Sequence, residues 1–231
     1  MENEKIKIIY EDDELLAIDK LAGLIVFPEG ETKEKTLIDL LLEDRPELKN
    51  TGTAPRYGII HRLDKDTSGV LLVAKNNEAL ESFQKQFKEG LIKKRYVALV
   101  VGNLKNEEGT IETLIGRSPQ DRRRQKVYLE NDPASEGKRK AITKYKLLQR
   151  FENYDLIEIE PRSGRKHQIR THLSYLGHPI AGDKLYGFKN QPLPKDLKRQ
   201  FLHASYLKTD NGKEFKSELP EDLKQVLNNV K

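Results

Sequence analysis

The stretch Tyr57-Gly58-Ile59-Ile60-His61-Arg62-Leu63-Asp64-Lys65-Asp66-Thr67-Ser68-Gly69-Val70-Leu71-Leu72-Val73-Ala74 decides how this chain is read. Its middle, His61 to Gly69, gathers an arginine, two carboxylates, two hydroxyls and a glycine. Its flanks are apolar, so the whole predicts two buried strands joined by a polar loop. A rigid sheet that carries an aspartate on such a loop is a common way to hold a catalytic group. By composition alone the same residues read as a solvated turn. What favours a site is a second polar cluster far downstream.

That cluster is Pro161-Arg162-Ser163-Gly164-Arg165-Lys166-His167-Gln168-Ile169-Arg170-Thr171-His172-Leu173. Gly164 turns the chain, and a helix is expected from Lys166 to Leu176, ended by Gly177. Helical spacing puts Arg165, Ile169, His172 and Leu176 on one face, which the two aliphatic residues direct inward. An inward guanidinium needs a carboxylate or phosphate partner, and a structural Arg–Glu pair would serve equally. Arg162, Lys166 and Arg170 surround the positive end of the helix and could hold phosphate, or could simply be surface charge. His61 and His172 read as hydrogen-bonded structural histidines.

Working outward, Lys5 to Tyr10 and Leu15 to Ile18 alternate as strands around the acidic turn Glu11–Glu14. Leu24 to Phe27 reads as a further strand, closed by Pro28 and Gly30. Thr36 caps a helix from Leu37 to Glu43, which stops before Pro46. Residues 47–56 read as a loop. Asn76 or Asn77 caps a helix ended by Gly90, and strands follow at Lys93–Val101 and Gly109–Ile115. Residues 117–140 hold eight cations, including Arg122, Arg123 and Arg124, and read as a mobile basic loop or hairpin, or as a solvated linker. Ala141–Arg150, Asp155–Glu160 and Leu202–Leu207 are strands, Asn211-Gly212 signals a hairpin, and Pro220 opens a terminal helix. Strands outnumber helices without strict alternation. The fold class expected is therefore α+β, with a mixed, mainly antiparallel central sheet flanked by helices.

The chain has 231 residues, with 42 Lys and Arg against 37 Asp and Glu, a net charge of +5. That modest basic excess suits a nucleic-acid partner. Cysteine is absent, which excludes disulfides, thiolate nucleophiles and Cys-ligated zinc. The polar opening Met1–Lys5 is no signal peptide, and no apolar run is long enough to span a bilayer, so a cytoplasmic protein without membrane association is expected. His167 and His172 have the wrong spacing for a helical metal pair, and His61, Asp64 and Asp66 form a hard-metal set only of a kind common by chance. No metal is expected. Ser68 lacks a nucleophile elbow, and no phosphate-binding glycine loop is present.

Residues His61 to Lys75 resemble the catalytic signature of RluA-type pseudouridine synthases. Gly164 to Leu173 resembles that family's second signature, continued by Gly177-His178-Pro179-Ile180-Ala181-Gly182-Asp183. Lys94 to Gly102 resembles the strand carrying its active-site tyrosine, and Leu202-His203-Ala204 and Leu219-Pro220 its C-terminal landmarks. The resemblance runs from about Ile8 to the end. It implies an RNA isomerase that converts uridine to pseudouridine without cofactor or metal, on a ribosomal or transfer RNA stem-loop. Asp64 matches the catalytic aspartate, Arg165 the arginine that pairs with it, and Tyr96 the tyrosine against the target base. Arg62 matches the residue that helps displace the target nucleotide, and Ile169 an aliphatic residue under the active site, with His172 nearby. RNA contacts are expected from Arg62, His61, Arg162, Lys166, Arg170 and Arg122–Arg124.

Two departures stand out. Lys20-Leu21-Ala22-Gly23 replaces the family's Lys-Pro-Ala-Gly, which relaxes a turn and touches no catalytic residue. The separate N-terminal RNA-binding domain of many members is not expected here, and residues 1–231 are expected to form a single catalytic domain, and a monomer. Two other classes stay open: a non-catalytic RNA-binding or assembly protein of the same fold, and a metal-dependent phosphodiesterase using Asp64, Asp66 and His61.

Overall fold

A computed structural model of the chain describes residues 6–28 and 34–230. Lys5, at the head of the expected first strand, and Gly30, at the turn after Pro28, lie outside the described residues. In chain order the elements are β1 (Lys7–Glu11), β2 (Leu15–Lys20), α1 (Leu37–Asp44), β3 (Ser68–Ala74), α2 (Asn77–Glu89), β4 (Lys93–Val101), β5 (Glu108–Arg117), β6 (Gln125–Tyr128), β7 (Arg139–Arg150), β8 (Tyr154–Pro161), α3 (Gln168–Tyr175), β9 (Leu202–Lys208), β10 (Glu214–Lys216) and α4 (Glu221–Asn229). The class is α+β, and the strands form a mixed sheet that is mostly antiparallel. The chain divides into two compact units, one running to Lys93 with Ala204–Glu218, the other comprising Lys94–His203 and the remainder after Leu219.

In the first unit the strand order is β1-β2-β3-β9, with β10 on β9. β2 and β3 pair antiparallel from Leu15↔Ala74 to Lys20↔Gly69. Every residue of β3 is buried, so both faces of the strand are covered and the run from Val70 to Ala74 is continuously apolar rather than alternating. On one face Leu15, Ala17, Val70, Leu72 and Ala74 pack with Ala79, Leu80 and Phe83 of α2. α2 begins where Asn76 accepts the Ala79 N–H at 2.8 Å and ends at Gly90, in the left-handed region at φ 75°. α1 begins where the Asp39 carboxylate takes the Thr36 N–H at 2.9 Å.

Two expected strands of this unit are absent. Leu24 to Phe27 has no strand partner, because its carbonyls serve another element. Ile25 and Val26 accept the first amides of α1, from Leu37 and Ile38, at 2.7 and 3.0 Å. Val26 and Phe27 are buried nonetheless, and burial is what their sequence advertised. Tyr57 to Ile60 makes a single bridge, Ile59↔Val73, together with an Ala74 N–H to Gly58 carbonyl bond of 2.7 Å. Tyr57 sits at φ 41°, which takes the chain out of extended geometry.

In the second unit the order is β4-β8-β7-β5-β6, each neighbouring pair antiparallel. Ala98, Leu99, Val100, Ile157 and Ile159 form a core with Ile169 and Leu173 of α3 and Leu223 and Val226 of α4. The basic segment 117–140 is a hairpin in part: β6 pairs with β5 from Arg117↔Gln125 to Leu114↔Tyr128. The expected helix Lys166–Leu176 is shorter. His167 has φ 55°, a left-handed residue that no helix carries, so α3 begins at Gln168. Arg165 therefore precedes the helix rather than riding on its face. Leu176 is 37% exposed and does not share the burial of Ile169 and His172.

Candidate active site

In the first unit Asp64 stands at the start of a tight turn, with its carbonyl accepting the Thr67 N–H at 3.0 Å. The neighbouring Lys65 carbonyl is gripped twice, by the Gly23 N–H at 2.9 Å and by the Lys20 ammonium at 3.0 Å. Lys20 is 1% exposed and also reaches the carbonyls of Leu21 and Leu24, at 2.7 and 2.8 Å. A buried ammonium needs such partners, and here they tie the turn after β2 to the aspartate's turn. Leu63, Thr67 and Ser68 are buried on either side, while Asp64 itself stays half-exposed. The result is a carboxylate on a short, over-determined loop at the mouth of β3.

Gly69, the last residue of the motif, has φ 115°, and a Cβ there would lie 2.8 Å from the Ala204 amide nitrogen and closer still to its carbonyl. Only glycine lets β9 approach this closely. His61 accepts the Leu72 N–H on Nε2 at 3.0 Å and stacks on Phe87 with ring centroids 4.5 Å apart. That is the structural histidine anticipated. Arg62 lies over the Phe27 ring at 5.1 Å. Among the described residues no three His, Asp or Glu side chains converge as a metal site would require.

In the second unit Tyr96 lies on β4 opposite Ile159, half-buried against the core. Lys94, two residues earlier and on the same face of the strand, brings its ammonium near Gly164. Burial pushes its pKa down to about 8. The loop before α3 is fixed by Gln168. Its amide oxygen accepts from Ser163 Oγ at 2.8 Å and from the Arg165 N–H at 3.0 Å, and its nitrogen donates to the Ile142 carbonyl and Thr143 Oγ1, both at 3.0 Å. Arg165 donates from Nε to the Lys140 carbonyl at 3.0 Å. Burial and the like charge of Arg139 hold its pKa below the ordinary arginine value. Such surroundings favour an anion.

Ile169 and His172 lie in the core below this loop. His172 is fully buried, with Nδ1 2.8 Å from Thr143 Oγ1 and Nε2 3.0 Å from Thr113 Oγ1, and burial pushes its pKa down to about 4. Arg170 is turned inward rather than toward a phosphate. It makes a bidentate pair with the buried Asp183, at 2.7 and 2.9 Å, and lies over the Tyr186 ring at 5.0 Å. Burial alone would raise the Asp183 pKa, but Arg170 and the amides of Tyr186 and Leu185 hold it below the usual carboxylate range. The guanidinium that the sequence offered to a phosphate is thus already held by a carboxylate of this chain.

The other expected RNA contacts are outward. Arg162 is exposed and paired with Glu160 at 2.6 Å, and Lys166 is exposed. Arg122 and Arg123 are exposed, the latter bonded to Asp121 at 2.8 Å. Arg124 packs over Tyr186 at 5.2 Å. The Tyr186 hydroxyl accepts the Gln125 N–H at 2.6 Å and lies 2.9 Å from His167 Nδ1, which pins the basic hairpin to the start of α3. Lys20, Gln168 and Tyr186 escaped the sequence reading because each acts through backbone or hydroxyl bonds that leave no pattern of period or charge.

The family model for RNA pseudouridylate synthase matches residues 14–175. An uncharacterized RNA pseudouridine synthase of Aquifex aeolicus is 42% identical over 198 residues, covering 85% of this chain and 60% of that protein. An uncharacterized RNA pseudouridine synthase of Bacillus subtilis, YlyB, is 37% identical over 97% of this chain and 72% of its own length. Ribosomal large subunit pseudouridine synthase D of Nitrosomonas europaea is 38% identical, with coverages of 98% and 65%. The chain thus spans less than two thirds of the Aquifex and Nitrosomonas relatives. Among solved structures, human RNA pseudouridylate synthase domain containing 1 aligns with a TM-score of 0.79 and 28% identity, over 98% of this chain and 89% of that one. No helix among the described residues is long and apolar enough to cross a membrane.

Proposed function

Because the chain belongs to the RNA pseudouridylate synthase family, we propose that it isomerises uridine to pseudouridine in structured RNA, with Asp64 as the catalytic carboxylate. Residues 1–231 act in this reading as one catalytic domain. The reaction breaks the bond from the sugar C1′ to N1 of the base, turns the base, and joins C1′ to C5, with one proton lost from C5 and one taken up at N1. Asp64 acts as nucleophile at the sugar or takes a proton from it. Arg165 keeps the carboxylate ionised, and Tyr96 offers the uracil a flat apolar face with a hydroxyl at its edge.

The target uridine leaves its stack to reach the carboxylate, at a cost of a few kcal/mol, and Arg62 fills the vacated place. Exposed cations such as Arg162, Lys166 and Arg122 hold flanking phosphates, so affinity falls steeply with salt. Arg170 is left out of that set, since Asp183 occupies it. The observation that supports the reading most is the hold on Asp64: a turn whose backbone is bonded on both sides of the carboxylate. The relatives named for the ribosomal large subunit make ribosomal RNA the first substrate to test.

The experiment is tritium release from RNA labelled at uridine C5, prepared from cells lacking this protein. Release that survives a chelator and leaves RNA length unchanged is expected. Strand cleavage abolished by the chelator would favour the phosphodiesterase reading, and binding without release would favour a non-catalytic RNA-binding protein.

A further inference from the structure

Arg62 is not alone on its aromatic support. The Phe27 ring carries two guanidiniums, Arg62 at 5.1 Å from its centroid and Arg56 at 4.8 Å. The ring is 5% exposed and sits on backbone held by the first two amides of α1. Arg56 lies on a tight turn of its own, its N–H bonded to the Thr53 carbonyl at 3.0 Å and its carbonyl to the Ile59 N–H at 2.9 Å.

Several other cations of this unit have carboxylates: Arg45 and Lys75 share Glu11, each at 3.0 Å, and Lys65 takes Glu34 at 2.6 Å. The Arg56 side chain is exposed and has no carboxylate partner among the described residues. The two guanidiniums are within about 10 Å of each other, one Debye length at 0.1 M salt, so they repel. An anion brought to Arg56 relieves that repulsion, and a guanidinium already fixed on a ring face loses less freedom on binding it.

We propose that Phe27 is a positioning residue that aims Arg62 at the gap left by the displaced uridine, and that Arg56, stacked on the same ring, binds an RNA phosphate beside that gap. The inference rests on the function proposed above. It predicts a division of labour between the two arginines, with Arg56 acting on affinity and Phe27 acting on turnover through Arg62.

The test uses ribosomal RNA labelled with tritium at uridine C5, from cells lacking this protein. Arg56→Gln raises KM about fivefold, the loss of one charge-assisted phosphate contact, and lowers the slope of log kcat/KM against log salt by about one. Its kcat falls by less than its KM rises. Phe27→Leu keeps apolar bulk but removes the ring face, and kcat drops about tenfold with a smaller change in KM. Phe27→Tyr restores the face and keeps kcat within about twofold of the parent. Packing alone would make leucine the milder change, because tyrosine adds a buried hydroxyl.

Equal kcat values for the leucine and tyrosine variants would overturn the positioning role. An unchanged salt slope in Arg56→Gln, whose exposed side chain puts folding at little risk, would overturn the phosphate contact. A parent protein that releases no tritium refutes the function itself, whereas an active parent with unmoved variants refutes only this inference.

Discussion

Replacing His172 by glutamine will flatten the acid side of this protein's stability curve. The imidazole is fully buried between Thr113 and Thr143, and burial pushes its pKa down to about 4 from 6.5. Between those two values the unfolded chain binds a proton at this residue and the folded chain does not. Stability therefore rises with pH across the window and is lost as pH falls from about 6.5 to about 4. At 1.36 kcal/mol per pKa unit, the loss attributable to this one residue is about 3 kcal/mol. That is a large part of the 5–15 kcal/mol typical of a folded domain. Urea unfolding of the parent and His172→Gln at pH 7, 6, 5 and 4 gives the comparison. Carboxylates titrate in both proteins, so the difference between the curves isolates the histidine. The gap between them should change by about 3 kcal/mol across the window, with the glutamine variant the less acid-sensitive. Parallel curves would refute the claim that this imidazole stays neutral in the folded protein.

Asp183→Asn leaves Arg170 buried with half a partner and should cost about 3–5 kcal/mol in urea unfolding at neutral pH, since breaking one side of a buried pair strands the other charge. Gly69→Ala forces a side chain against Ala204 at a left-handed φ; a melting temperature lowered by several degrees and reduced tritium release are expected, and a parent-like protein would mean the backbone there yields freely. Arg165→Met should lower the rate at saturating RNA by tenfold or more, with a smaller change in affinity, and an unchanged saturating rate would count against its pairing with Asp64.

Much of the fold could be read from period and punctuation. β4 and the Asn76 to Gly90 helix follow from a strong apolar strand and a matched pair of caps. Errors arose where burial did not imply pairing. Leu24 to Phe27 is as apolar as a strand, yet its carbonyls cap α1, and no local pattern announces a partner twelve residues away. The start of α3 was misplaced because His167 adopts a left-handed conformation stabilised by Tyr186, a tertiary bond. The same mistake moved Arg165 onto a helix it precedes. In the candidate site, Asp64, Tyr96 and Arg165 were singled out because the motifs around them are long, and their roles stand as the proposal made above. Arg170 read as a phosphate ligand because charge in a sequence does not say which carboxylate, here Asp183, lies within reach. Lys20 was noted only as the head of Lys20-Leu21-Ala22-Gly23, and nothing in that motif shows that it is sealed beneath the aspartate's turn.

The central claim is that one carboxylate carries out the chemistry. Asp64→Asn keeps the size and shape of the side chain while removing its charge. Tritium release from C5-labelled ribosomal RNA should fall below detection in this variant, while its melting temperature stays within a few degrees of the parent and its RNA affinity at fixed salt within about twofold. Sustained isomerisation by the purified asparagine protein, at a rate near that of the parent, would contradict the account.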